Sequence, residues 1–162
     1  MKVFIAGATG VLGRRVVQRL IANGHQVVGL SRSQKNREWL SRHGAIPGEG
    51  DLFDLEQVAR LSADCEATLH LATAIPTKSR PGQHDWALND RIRREGTSNL
   101  VAAALRHNHR LYLQQSVTLI YGDRTGSWVD EATPLPDRQV SMLQSAVDME
   151  RIVHDAASQN GL

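Results

Sequence analysis

The sequence is short of cysteine, of long apolar runs and of net charge, and each shortage excludes something. Cys65 is the only cysteine, so no internal disulfide can form and no cysteine-based metal site is credible. A lone thiol suits a reducing compartment, and a cytoplasmic protein is expected. No apolar stretch approaches the roughly twenty residues that a bilayer-spanning helix needs, so no membrane role is expected. The N-terminus opens on a strand pattern and a glycine turn, not on the apolar segment of a secretory leader. Net charge is only +2, from 19 basic and 17 acidic residues. The basic residues are scattered, so a pI near 9 does not argue for a nucleic-acid partner. The histidines contain no H-x-x-x-H pair on a plausible helix. His107 and His109, two residues apart, would face different sides of a helix and read as solvated surface, so no metal site is expected.

What is present begins at residue 1. At 162 residues with 41% hydrophobic content the chain suits one domain with a sizeable core. Lys2 to Ala6 reads as an apolar strand. Gly7-Ala8-Thr9-Gly10-Val11-Leu12-Gly13 then forms a glycine turn leading into a helix. Glycines let backbone approach an anion closely, and a helix N-terminus offers unpaired N–H groups and partial positive charge. The G-x-x-G-x-x-G spacing differs from the G-x-G-x-x-G of standard dinucleotide dehydrogenases. Its place directly after an opening strand makes it a phosphate-binding device.

Further strands are expected at Gln26 to Leu30, within Ala45 to Gly50, at Cys65 to Leu71 and at Arg110 to Val117. Helices are expected at Val11 to Asn23, with Val11, Leu12, Val16, Val17, Leu20 and Ile21 on the buried stripe, and at Gln34 to His43 with Trp39 and Leu40 inward. A third is expected at Asp54 to Leu61, capped by Asp54. A long helix from Asp85 to His107 carries Leu88, Ile92, Leu100, Val101, Ala104 and Leu105 on its apolar side, and a last helix runs from Arg138 to Ser158. The alternation predicts an α/β fold, a doubly wound parallel sheet with order 3-2-1-4-5 and helices on both faces, over residues 1–162 as a single domain.

In such a sheet ligands lie outside the carboxyl ends of the strands. At the tip of strand 2 the residues are Ser31-Arg32-Ser33, with Lys35 and Arg37 behind and no carboxylate before Glu38. Arg32 can pair with a ribose 2′-phosphate, and Ser31 or Ser33 can donate to it, which favours NADP over NAD. Asp51-Leu52, after strand 3, could bracket an adenine ring, or Asp51 could be a turn residue. Leu71-Ala72-Thr73 offers small residues where ribose and nicotinamide could pass.

Together these pieces resemble the extended and atypical short-chain dehydrogenases, the NAD(P)-dependent epimerases and dehydratases. The matching stretches are Gly7 to Gly13, Gly50-Asp51-Leu52, His70-Leu71-Ala72, Glu95-Gly96-Thr97-Ser98-Asn99-Leu100, Ser116 through Tyr121-Gly122, and Asp130-Glu131-Ala132-Thr133-Pro134. The resemblance implies a Rossmann fold and a nicotinamide cofactor held by Gly7, Thr9, Gly10, Val11, Leu12, Arg32, Asp51, Leu52, Leu71, Ala72 and Ser116. It also implies a Tyr and a Lys four residues later on the last helix, where the Lys lowers the Tyr pKa for proton transfer. Those positions fall on Met142 and Ala146, and neither can move a proton. The usual Ser/Thr position falls on Val117, flanked by Ser116 and Thr118, of which Thr118 could replace the hydroxyl only if the strand end twists. A supporting Asn position falls on Arg93, with Asn89 one turn earlier. Met142, Ala146, Met149 and Val153 read as an apolar stripe. Members of the family continue into a substrate-binding lobe that is not seen before Leu162, and pair as homodimers through the two long helices. The expectations are three: an NADP-binding module with a degenerate or incomplete site, an active oxidoreductase or sugar-nucleotide epimerase of which this is the cofactor-binding portion, and a scaffold retaining the turn as a relic.

Overall fold

The structure, a computed structural model, describes residues 1–136 and 141–162 apart from the side chains of residues 141, 142 and 160. Five strands form one sheet: β1 (Lys2–Ala6), β2 (Gln26–Ser31), β3 (Ile46–Glu49), β4 (Ala67–His70) and β5 (Leu111–Gln114). Their order is β3-β2-β1-β4-β5 and every pairing is parallel, as the alternation predicted. The helices are α1 (Val11–Ala22), α2 (Gln34–Arg42), α3 (Leu55–Ser62), α4 (Ala87–Arg91), α5 (Thr97–Arg106) and α6 (Ser141–Asn160). None of the helices, among the described residues, is long and apolar enough to cross a membrane.

The central strand shows why there are two cores. Val3 and Ile5 point to one face, where they pack with Val17 of α1 and Leu40 of α2. Phe4 and Ala6 point to the other, against Val58 of α3 and Leu100 of α5. Strand side chains alternate, so a strand buried on both faces reads as a continuous apolar run, which K-V-F-I-A nearly is. Asp54 caps α3 as expected, its carboxylate accepting from the Gln57 N–H at 3.0 Å.

Several expectations are corrected. Residues 83–107 are not one helix. A 3₁₀ turn (Gln83–Trp86) precedes α4, and a π-helical turn (Ile92–Gly96) separates α4 from α5. A π turn inserts one residue and rotates the helix on its N-terminal side relative to the helix on its C-terminal side. Leu88, expected inward, is therefore 46% exposed, while Asn89 is fully buried. At the end of that turn Gly96 packs on Leu52, where an added Cβ would lie 2.8 Å from the Leu52 side chain. Val11 and Leu12 open α1 on its exposed side and do not join the buried stripe.

His109 is not solvated surface but buried, being 5% exposed. The chain leaves α5 through Asn108, at φ 53°, so His109 stands at the entry to β5 rather than on a helix. There Nε2 donates to the Ser62 carbonyl at 3.0 Å and Nδ1 accepts from the Thr68 hydroxyl at 2.8 Å. β5 is shorter than expected, and Thr118–Tyr121 coils into a 3₁₀ turn. The expected start of the last helix, residues 138–140, lies outside the described residues.

Candidate functional site

The glycine turn joins β1 to α1 at the carboxyl edge of the sheet. Gly7 has φ +83°, the left-handed region that glycine alone enters freely. A Cβ there would come within 2.5 Å of the Leu71 carbonyl carbon and the Ala72 nitrogen. A Cβ on Gly13 would lie 2.0 Å from the Gly7 carbonyl oxygen. The first glycine thus lets the turn touch the exit of β4, and the third lets α1 sit down on the turn. Gly10 is the N-cap of α1, with no side-chain cap and no acidic residue in the first turn. The helix N-terminus is left open to an anion.

The exit of β4 is held from below by His70. Its imidazole is buried, being 1% exposed, and accepts at Nδ1 from the Ala72 N–H at 3.3 Å. Nε2 then carries the proton and reaches the carbonyl of Ile92, the first residue of the π turn, at 3.4 Å. Burial pushes the pKa of His70 down to about 4, so the ring is neutral near pH 7. Asn89 holds the next stretch: its Oδ1 accepts from the Ala74 N–H at 2.9 Å, and its buried Nδ2 has no partner among the described residues. His70 and Asn89 fix the loop that carries Leu71 and Ala72, a role that no local pattern announces for His70. Asn89 becomes legible only through the shifted register of α4.

At the tip of β2, Ser31 is buried and its hydroxyl donates to the Ser33 carbonyl at 3.3 Å, while the Ser33 hydroxyl accepts from the Asn36 N–H as the cap of α2. Ser31 is committed and Ser33 retains its proton for a ligand. Arg32 is exposed and enters no ion pair among the described residues. Arg37 is engaged by Glu49 at 3.0 Å. Glu49 stands opposite Ser31 in the β2–β3 register. A carboxylate therefore does reach this tip, from the neighbouring strand, and Arg37 neutralises it.

After β3, the turn reading of Asp51 is the one the hydrogen bonds show. Its Oδ1 accepts from the Phe53 N–H at 3.1 Å, an Asx-type turn, and Gln57 fixes its backbone N–H at 3.1 Å. The Leu52 carbonyl accepts from Asn99 Nδ2 at 3.0 Å. The Arg91 guanidinium lies 3.8 Å from the Phe53 ring centroid and is gripped by Glu95 through two bonds.

The expected proton-transfer region is different in kind. Ala146 is fully buried and Met149 is 2% exposed, both on α6. Met142 lies on α6 with its side chain outside the described residues. Next to Ala146, Ser145 donates to Asp90 at 2.6 Å and accepts from Arg93 at 3.2 Å. This triad, with Ser145 and Arg93 buried and Asp90 half-buried, ties α6 to α4 and the π turn, and burial lowers the arginine's pKa against the pull of Asp90. The Tyr112 phenol is pushed far up by burial and donates to Gln114 at 3.2 Å. Thr118 is exposed at the start of its 3₁₀ turn, clear of the β5 ladder. The Ser116 hydroxyl donates to Glu150 of α6. That pair lines a cleft of about 720 Å³ between the exit of β5 and α6, together with Tyr121, Glu131 and His154.

The strand ends thus bring together Gly7, Thr9, Gly10, Val11, Leu12, Leu71 and Ala72 around one turn, flanked by Arg32 and by Asp51-Leu52, while Ser116 and Thr118 stand at the β5 side. Comparison with known proteins bears on the family and the fold. The model of the NAD dependent epimerase/dehydratase family matches residues 3–162. The 3-diazoavenalumate denitrifying reductase of a Streptomyces species is 31% identical over 160 residues, 94% of this chain and 51% of the relative. The 2-alkyl-3-oxoalkanoate reductase of Shewanella oneidensis is 33% identical over 138 residues, 83% of this chain and 33% of the relative. Among solved structures, UDP-N-acetylglucosamine 4-epimerase from Bacillus cereus superposes with a TM-score of 0.77 at 26% identity, over 100% of this chain and 57% of that one. The chain spans about half the length, or less, of the curated relatives it matches.

Proposed function

The chain belongs to the NAD dependent epimerase/dehydratase family, and on that premise we propose that these residues form its cofactor-binding domain, selective for NADP(H), without the family's Tyr and Lys pair. The observation that carries the reading is the turn from Gly7 to Gly13. Side chains at Gly7 and Gly13 would collide with backbone, and the helix behind it is uncapped and free of acid. This fits a pyrophosphate with its two negative charges. Gly7, Thr9, Gly10, Val11 and Leu12 would hold the pyrophosphate, Asp51 and Leu52 the adenine, and Leu71 and Ala72 the nicotinamide ribose. When bound, the nicotinamide supplies or accepts a hydride.

Arg32 supports the NADP reading, since it is exposed and lacks an acidic partner among the described residues, whereas Arg37 cancels Glu49. An unpaired guanidinium at the ribose favours a 2′-phosphate by charge-assisted bonds. The degenerate-site reading rests on Ala146, which is buried apolar surface where the lysine would stand. Ser116, donating to Glu150, would contact the cofactor as an acceptor, or as a donor once that bond opens. A second reading, an active reductase, is favoured by the reductase names of the Streptomyces and Shewanella relatives.

Fluorescence or calorimetric titration with NADPH and NADH tests both. NADPH should bind at least about tenfold tighter than NADH, and Arg32→Ala should erase that ratio. Failure of both nucleotides to bind would refute the domain's assignment. Turnover of a β-keto ester or a comparable carbonyl substrate by the 162-residue chain would refute the degenerate reading and favour the second.

A further inference from the structure

Arg14 stands in the first turn of α1, one residue after Gly13. Its Nε donates to the Thr9 carbonyl inside the glycine turn at 2.9 Å. Its guanidinium carbon lies 4.9 Å from the centroid of the Trp39 ring on α2, within cation–π range. Trp39 is itself held by stacking on His43, with centroids 4.1 Å apart and an interplanar angle of 22°. The His43 ring is fixed in turn by donating from Nδ1 to the Trp39 carbonyl at 2.7 Å.

The consequence is a guanidinium oriented on two sides. One bond uses Nε and one ring supports its face, which leaves both Nη groups without a protein partner among the described residues. No acid pairs with Arg14 among those residues either. Most surface arginines lack this kind of support and lose side-chain entropy when they grip a ligand. The position is equally specific. Arg14 bridges the glycine turn and α2, and α2 is the helix capped by Ser33, directly after Arg32. Its free fork therefore belongs to the same corner of the sheet, between the β1–α1 turn and the β2 tip.

We propose that Arg14 is a second specificity-determining residue for the cofactor, presenting its two Nη groups to the ribose 2′-phosphate opposite Arg32. This rests on the NADP reading and deepens it. Arg32 alone offers an exposed guanidinium with no side-chain partner to orient it among the described residues, whereas Arg14 adds a preoriented fork matched to phosphate oxygens. The Thr9 bond also couples the fork to the turn that holds the pyrophosphate.

Arg14→Met tests this, because it keeps an apolar stem on Trp39 and removes the fork from an exposed position where folding does not depend on it. Affinities for NADPH, NADH and 2′,5′-ADP are measured by calorimetry for the wild type, Arg14→Met and Arg32→Ala. The expected result is a loss of at least about tenfold for NADPH and 2′,5′-ADP in Arg14→Met, with NADH changed by less than about threefold. Equal losses for NADPH and NADH would overturn the proposal, since Arg14 would then act only through Thr9 and the turn. An NADPH preference that survives Arg14→Met but not Arg32→Ala would overturn it while leaving the NADP reading intact. A wild type that binds NADH as tightly as NADPH would overturn both.

Discussion

The most quantitative prediction concerns His70, because its environment converts directly into a dependence of stability on pH. The ring is buried, donates from Nε2 to Ile92 and accepts at Nδ1 from Ala72, so only the neutral form fits. Burial holds its folded pKa at about 4, below the ordinary 6.5. Above pH 6.5 neither folded nor unfolded chain carries this proton. Between about 6.5 and 4 the unfolded chain binds it and the folded chain does not, so stability falls as pH falls. With those two values the loss between about pH 7 and about pH 5 is roughly 2 kcal/mol from this one group. His109, also neutral and lowered by burial, acts in the same direction, and the depressed carboxylates add their own losses at lower pH. Urea unfolding of the wild type alone would therefore mix several terms. The difference between wild type and His70→Gln isolates one, since glutamine can still donate and accept but cannot titrate. The wild-type advantage over His70→Gln should shrink by about 2 kcal/mol on going from pH 7 to pH 5. An advantage that stays constant across that window, or a His70 ring signal titrating near 6.5 by NMR, would refute the reasoning. Cofactor affinity should not change through His70 over the same window, because the folded chain keeps the ring neutral down to about pH 4.

Five other outcomes are expected from the geometry. Gly13→Ala should unfold the turn or cost several kcal/mol, since its Cβ would meet the Gly7 oxygen at 2.0 Å; Gly24→Ala, at φ +79° in open space, should cost only about 1 kcal/mol of backbone strain, both read by chemical denaturation. Phe4→Ala should destabilise by about 3 to 5 kcal/mol in the same assay, because Phe4 is fully buried among α3 and α5 residues and its removal leaves a cavity. Arg37→Ala should weaken NADPH more than NADH by releasing Glu49 beside the β2 tip, and Glu49→Gln should do the reverse, both measured as the ratio of dissociation constants.

How much of the fold and site was legible in the chain depends on the range over which each feature is decided. Element order and sheet order arise from local alternation of apolar period, and the Asp54 cap from residues three apart, so both could be read directly. The π turn could not. An inserted residue leaves the apolar count of Asp85 to His107 unchanged and only exchanges the roles of Leu88 and Asn89. His109 illustrates the same limit, since its burial is set by Thr68 and Ser62, more than forty residues upstream. The carboxylate at the β2 tip is the clearest case. Counting along the chain, no acid precedes Glu38, yet sheet register brings Glu49 opposite Ser31 and Arg37 then absorbs its charge. The preference inferred from Arg32 thus depends on a neutralisation that only the fold reveals. Arg14 completes the argument, because in sequence it is one basic residue beside Arg15, and in space it is the arginine whose fork is aimed by Thr9 and Trp39. Motif spacing points to the corner of the sheet proposed for the cofactor; the charges around that corner come from strands and helices that meet there.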